Sequence, residues 1–94
     1  MKKFVFLYHG YDDSKPELAQ AWHAWFERRA ASFDDVGNPF GAARRISPEG
    51  TIELGTGPAS GYSILNAENI DAAEHLLEGC PIVDSVSIYE ALPV

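Results

Sequence analysis

Cysteine is nearly absent from this sequence. Cys80 stands alone, so no intrachain disulfide can form and no metal site can be assembled from a cysteine cluster. That usage fits a reducing compartment, and the cytoplasm is the expected location. Cations are scarce too: seven Lys and Arg face fourteen Asp and Glu, for a formal charge of −7. The pairs Arg28-Arg29 and Arg44-Arg45 are isolated among acids and read as solvent-facing. Binding a phosphate backbone draws on clustered cations that release counterions, so nucleic acid is not an expected partner. Long apolar runs are missing as well. Phe4-Val5-Phe6-Leu7-Tyr8 follows Met1-Lys2-Lys3 but gives way at once to His9-Gly10-Tyr11-Asp12-Asp13. A signal h-region needs about 7–15 apolar residues and a membrane span roughly 20, so neither is expected. Internal repeats, low-complexity tracts and domain linkers are also lacking.

What the chain does have is apolar and aromatic substance: 46% hydrophobic and 12% aromatic residues in 94. A chain of this size buries roughly 60–70% of its unfolded surface, which suits one domain over residues 1–94. Its single core carries a heavy burden, because net stability is a small difference of large terms. Association with a second copy would therefore help.

Residues 3–9 alternate as a strand, Phe4, Phe6 and Tyr8 one way, Val5, Leu7 and His9 the other. Residues 10–13 read as a turn. Ser14 and Glu17 form a capping box, and Pro16 is tolerated where first-turn amides have no helical partner. From Leu18 to Phe33 the residues Leu18, Trp22, Trp25, Phe26 and Phe33 fall on one helical stripe, with Arg29 awkwardly near its middle. Either the Arg29 stem packs flat while its guanidinium escapes, or the helix ends earlier. Residues 34–41 have loop chemistry, 42–47 and 51–54 are short strand candidates flanking a stretch that suits a hairpin or bulged turn, and 55–61 is an irregular link. Residues 62–67 read as a strand, and 70–78 as a helix capped by Asn69, with Ile70, Ala73, Leu76 and Leu77 facing a core. Gly79 and Pro81 end that helix, and 85–91 is the last strand, with Val86 and Ile88 on one face.

The order is β-α-β-β-α-β, an α+β, ferredoxin-like sandwich in which an antiparallel sheet carries both helices on one face. The other face, with Phe or Val from the first strand and Tyr62 or Tyr89 later, needs a cover. A second copy is the natural one. Two such sheets meeting face to face give a dimeric α/β barrel, with clefts at its edges for small ligands.

The motifs Phe4-Val5-Phe6-Leu7-Tyr8, Trp22-His23-Ala24-Trp25-Phe26, Asp35-Val36-Gly37-Asn38-Pro39-Phe40, Gly61-Tyr62-Ser63-Ile64, Asn69-Ile70-Asp71-Ala72-Ala73, Gly79-Cys80-Pro81 and Ser87-Ile88-Tyr89-Glu90 follow in an order that resembles the YciI-like (YCII-related) family and its DGPF-type relatives. The resemblance covers nearly the whole chain. It implies a small dimeric ferredoxin-like domain for which no reaction is assigned across most of the family. Some members are thought to pair a helix-borne histidine with an aspartate near the end of the second helix. Here Cys80 precedes Pro81 where that aspartate would stand, and His23 is offset from the family histidine, so the pair does not carry over.

Three residues are candidates for acid–base catalysis: His9, at a strand end before a glycine turn, His23, at the edge of the helical stripe, and Asp35, as an orienting carboxylate. Trp22, Asn38 and Tyr62 are candidate ligand contacts. Each has a plainer reading, as strand-end, boundary, turn or core residue. His75 reads as solvated. No metal is expected, since no two histidines stand i, i+4 apart and His23 with Glu27 is a lone His–Glu pair. Cys80 follows a helix C-terminus, where the dipole disfavours a thiolate. Gly55-Thr56-Gly57 lacks the lysine and helix start of a phosphate loop, and no cofactor is expected. Two functions remain: a dimeric domain binding a small organic molecule, or an isomerase or lyase-type enzyme using His9 or His23 as acid or base with Asp35 or Asn38 orienting it.

Overall fold

A computed structural model describes residues 1–10, 16–55 and 59–94. The expected turn at 11–13, the Ser14 half of the capping box and the middle of the link at 56–58 lie outside the described residues. Six strands and two helices follow in order: β1 (Lys2–His9), α1 (Glu17–Arg29), β2 (Phe33–Asp35), β3 (Ala43–Ser47), β4 (Gly50–Gly55), β5 (Gly61–Ala67), α2 (Ile70–His75) and β6 (Ser85–Ala91). Four of the strands form one sheet in the order β2-β5-β1-β6, every neighbouring pair antiparallel, and β3 and β4 form a separate two-stranded ribbon. The protein is thus α+β with a four-stranded antiparallel sheet and two helices, compatible with a ferredoxin-like arrangement.

β1 lies in the middle of the sheet, and its alternation sets the two faces. Phe4 and Phe6 are fully buried and Tyr8 nearly so. They meet Trp25, Leu65, Ala67 and Ala73, with Trp22, Phe26, Phe33, Leu76, Leu77, Val86 and Ile88 packed around them. The aromatic rings meet mostly edge to face: Trp22 against Tyr8 at 5.2 Å, Trp25 against Phe33 at 5.6 Å. Such contacts add about 0.5–1.5 kcal/mol each beyond area burial. The phenylalanines of β1 therefore belong to the helical side. The opposite face is lined by Val5, Leu7 and His9 with Tyr62, Ile64 and Asn66 of β5 and Ser85, Ser87 and Tyr89 of β6, following the cross-strand register.

The strand that completes the sheet differs from the sequence expectation. The apolar spacing predicts Phe33 at the end of a long helix and Asp34 and Asp35 in a loop, whereas α1 ends at Arg29 and a single 3-10 turn, Ala30–Ser32, turns the chain into β2 beside β5. Phe33 still reaches the core, packing on Trp25 and Phe26, so the apolar period alone does not distinguish a last helical turn from a strand start. The segments expected to supply the middle strands form the separate ribbon. At α2, Asn69 caps as expected, its side chain accepting from the Ala72 amide at 2.8 Å. Regular helix ends at His75 rather than 78, and Ile70 is 53% exposed instead of facing the core.

Arg29 joins the two helices. Its Nε donates to the Leu76 carbonyl at 3.0 Å and its Nη2 to the Glu78 carbonyl at 3.2 Å, while Trp25 Nε1 donates to the same Leu76 oxygen. A guanidinium that sat badly in an apolar stripe thus satisfies carbonyls past the end of α2, where the helix dipole also favours a cation. Gly79, at φ +78°, makes the left-handed turn that follows.

Ser63 is the one fully buried polar residue among those described. Its hydroxyl donates to the Val36 carbonyl at 2.6 Å, so the Tyr8 phenol, 2.7 Å away, is the donor to Ser63 Oγ. Ser63→Ala strands the Tyr8 hydroxyl and the Val36 carbonyl, and is expected to destabilise the fold by about 1–3 kcal/mol in urea unfolding. Adding Tyr8→Phe to Ser63→Ala should recover part of that loss; a double variant no better than the additive sum would contradict the assigned network.

Candidate functional site

Where β1 ends and α1 begins, the fold leaves a cavity of about 770 Å³. Its helical wall is Leu18, Ala19, Trp22, His23 and Phe26, its floor includes Tyr8, and the facing wall is the 36–39 loop with Ser60, Gly61 and Tyr62. The loop is held against the start of β5 by backbone bonds, Phe40 N to Ser60 O at 2.8 Å and Tyr62 N to Asn38 O at 3.3 Å, and by a bridge between Pro39 and Gly61. Gly37 makes this approach possible. It has φ +82°, and a Cβ there would overlap the Tyr62 carbonyl.

Among the described residues no Asp, Glu, Lys or Arg lines the cavity, and His23 and Asn38 are its principal polar side chains. Burial pushes the Tyr8 phenol well above its ordinary range, with the Ser63 hydrogen bond opposing the shift. Its proton is already committed to Ser63, so Tyr8 offers the cavity a ring rather than a donor.

Of the six sequence candidates, Trp22, His23, Asn38 and Tyr62 line this cavity. Asp35 stands next to it. Its Oδ1 accepts from the Gly37 amide at 2.8 Å and its Oδ2 from the Tyr62 hydroxyl at 3.3 Å, and Asn38 Nδ2 donates to the same hydroxyl at 3.4 Å. The Tyr62 ring itself stacks on Phe40, with centroids 5.6 Å apart and planes 13° apart. Asp35 therefore orients Tyr62 and the Gly37 turn rather than a histidine. His23 is exposed at the cavity wall and bonds to no carboxylate among the described residues. His9 lies across the sheet, on the helix-free face, where Nε2 is 2.9 Å from Ser87 Oγ. The two histidines thus belong to opposite sides of the sheet. Phe26, Val36, Gly37 and Ser60 were missed as site residues; the Gly37-Asn38-Pro39 turn carried the one signal that could have drawn attention to the loop.

Among the described residues no three His, Cys, Asp or Glu side chains converge as a metal site. No described helix is long and apolar enough to cross a membrane. His75 is exposed, 3.6 Å from Glu78. Compared with family models, with curated proteins and with solved structures, the chain finds no match in any of the three.

Cys80 packs against the core, and burial pushes its thiol up to about 12. At pH 8 this lowers the thiolate fraction about a thousandfold against an ordinary thiol, and the greater basicity of the anion restores part of the rate. Alkylation of the folded protein by iodoacetamide should run roughly 30-fold slower than that of free cysteine, and return to the free rate in urea. A folded-state rate equal to free cysteine would contradict the assigned burial.

Proposed function

We propose that this chain is a homodimeric, YciI-like domain of ferredoxin-like type that binds a small, uncharged, largely aromatic organic molecule in the Trp22–Phe26 cavity. The observation that carries the reading is a site-sized space walled by aromatic rings, with no formally charged side chain among the described residues that line it, in a chain whose net charge is −7. Ligand sites commonly have about 300–1,000 Å³ and apolar walls with a few placed polar groups, here His23 and Asn38. An ionised ligand would find no counter-charge among the described lining residues.

The dimer rests on the helix-free face. Val5, Leu7, Ile64 and Tyr89 give that face apolar side chains with no covering layer among the described residues, and Tyr89 is 57% exposed. A second copy applied by a two-fold axis would cover each face with the other. The expected reducing, cytoplasmic compartment suits a chain with one packed thiol. Turnover as an isomerase or lyase is the second reading. It is favoured by one observation, the position of His23 on the cavity wall, and it requires activity that vanishes in His23→Ala.

Three probes sharing one ring separate the possibilities: p-cresol, 4-hydroxybenzoate and tyramine, neutral, anionic and cationic at pH 7. Thermal shift and tryptophan emission should respond to p-cresol at millimolar concentration and weakly or not at all to tyramine, because a ligand of the native state raises its melting temperature. Asn38→Ala and Trp22→Ala should reduce the response severalfold. No response to any probe, or tyramine binding best, would contradict the reading.

A further inference from the structure

The β3–β4 ribbon is the part of the fold that its own chain uses least. β3 and β4 pack chiefly on each other, and the Cα radius of gyration, 14.4 Å, exceeds the roughly 12 Å expected for a compact chain of this length. Ile46 is 78% exposed and Ile52 57%. The register sets Ile46 opposite Thr51 and Ile52 opposite Arg45, so the ribbon presents one bare isoleucine on each face. A lone two-stranded hairpin is marginal in water, and among the described residues this one has no layer beneath it.

Its charge is distinctive. Residues 43–55 hold two Arg and two Glu, so the whole formal charge of −7 lies outside the ribbon. The ribbon is therefore a segment that can approach another copy of an acidic chain without net repulsion. Within it Arg44 is bonded to Glu53, while Arg45 has no carboxylate partner among the described residues.

A matching receptor lies on β2. Asp34 accepts from Asn66 Nδ2 at 2.7 Å, and Asp35 from Gly37 and Tyr62. Among the described residues no Lys or Arg stands within ion-pair distance of either carboxylate. The Phe40 ring, stacked on Tyr62 and 44% exposed, follows in the same stretch of chain. A planar guanidinium is suited to both surfaces, bonding carboxylates at its edge and stacking on an aromatic face.

We propose that the β3–β4 ribbon is a docking arm for a second copy of this chain, its Arg45 meeting Asp34, Asp35 and Phe40 of the other copy while Ile52, on the same face of the ribbon as Arg45, is covered. Two-fold symmetry makes the contact twice. The assignment rests on the homodimer proposed above, and charge exchange tests the two ideas separately.

Sedimentation velocity on the full chain, with circular dichroism as a check on folding, would compare the unaltered protein, Arg45→Glu, Asp34→Lys and the double variant. The unaltered protein should dimerise at micromolar concentration, and each single variant should weaken dimerisation at least 10-fold through like-charge apposition. The double variant should restore it. So should an equal mixture of the two single variants, since a mixed pair places opposite charges at both contacts. Unchanged dimerisation in both single variants, or no rescue in either the double variant or the mixture, overturns the arm and leaves the sheet-face dimer standing. A monomeric unaltered protein overturns both.

Discussion

Everything in this fold is arranged around the alternation of one strand in the middle of the sheet. β1 pairs with β5 on one side and β6 on the other, so its backbone is satisfied and its side chains have only two directions left. Phe4, Phe6 and Tyr8 take one direction and demand an apolar cover, which α1 supplies with Trp22, Trp25 and Phe26 and α2 with Ala73 and Leu76. Val5, Leu7 and His9 are thereby committed to the other face, and a one-residue slip would exchange the two sets. The same pleat that builds the core creates the face without one.

The cavity follows from where that strand stops. At Tyr8 the aromatic row meets the first turns of α1, and Gly37 lets the 36–39 loop approach β5 closely enough to close the far wall. Tyr8 serves core and cavity at once, its hydroxyl turned into the buried Ser63 and Val36 chain and its ring toward Trp22. Among the described residues, charge is kept to the outside of this arrangement. Arg29 spends its donors on carbonyls past α2, and Asp35 is held by Gly37 and Tyr62 at the loop margin.

The helical face was largely legible in the sequence. The alternation of Phe4, Phe6 and Tyr8, the stripe of Trp22, Trp25 and Phe26 and the Asn69 cap all appear in the structure because each rests on local periodicity or capping chemistry. The second strand was not legible, because Phe33-Asp34-Asp35 is too short to show a period of two and its phenylalanine also satisfies the helical stripe. The partnership of β3 with β4 was visible as a hairpin, but not that the hairpin stands apart from the sheet, which is a matter of tertiary contact. In the site, Trp22, His23, Asn38 and Tyr62 were individually visible, yet their convergence depends on the positive φ of Gly37. His9 and Asp35 could be named as a pair from sequence, but strand pairing sends His9 toward Ser87 and the loop holds Asp35 beside Tyr62.

Native-state hydrogen exchange followed residue by residue reads the role of β1 most directly. Amides of β1 and of β5 beside it should exchange only through global unfolding, with urea dependence equal to that of the whole protein, while amides of the β3–β4 ribbon open locally at lower free energy. If the β1 amides exchange as readily as those of the ribbon, the buried aromatic row is not what the fold is built on.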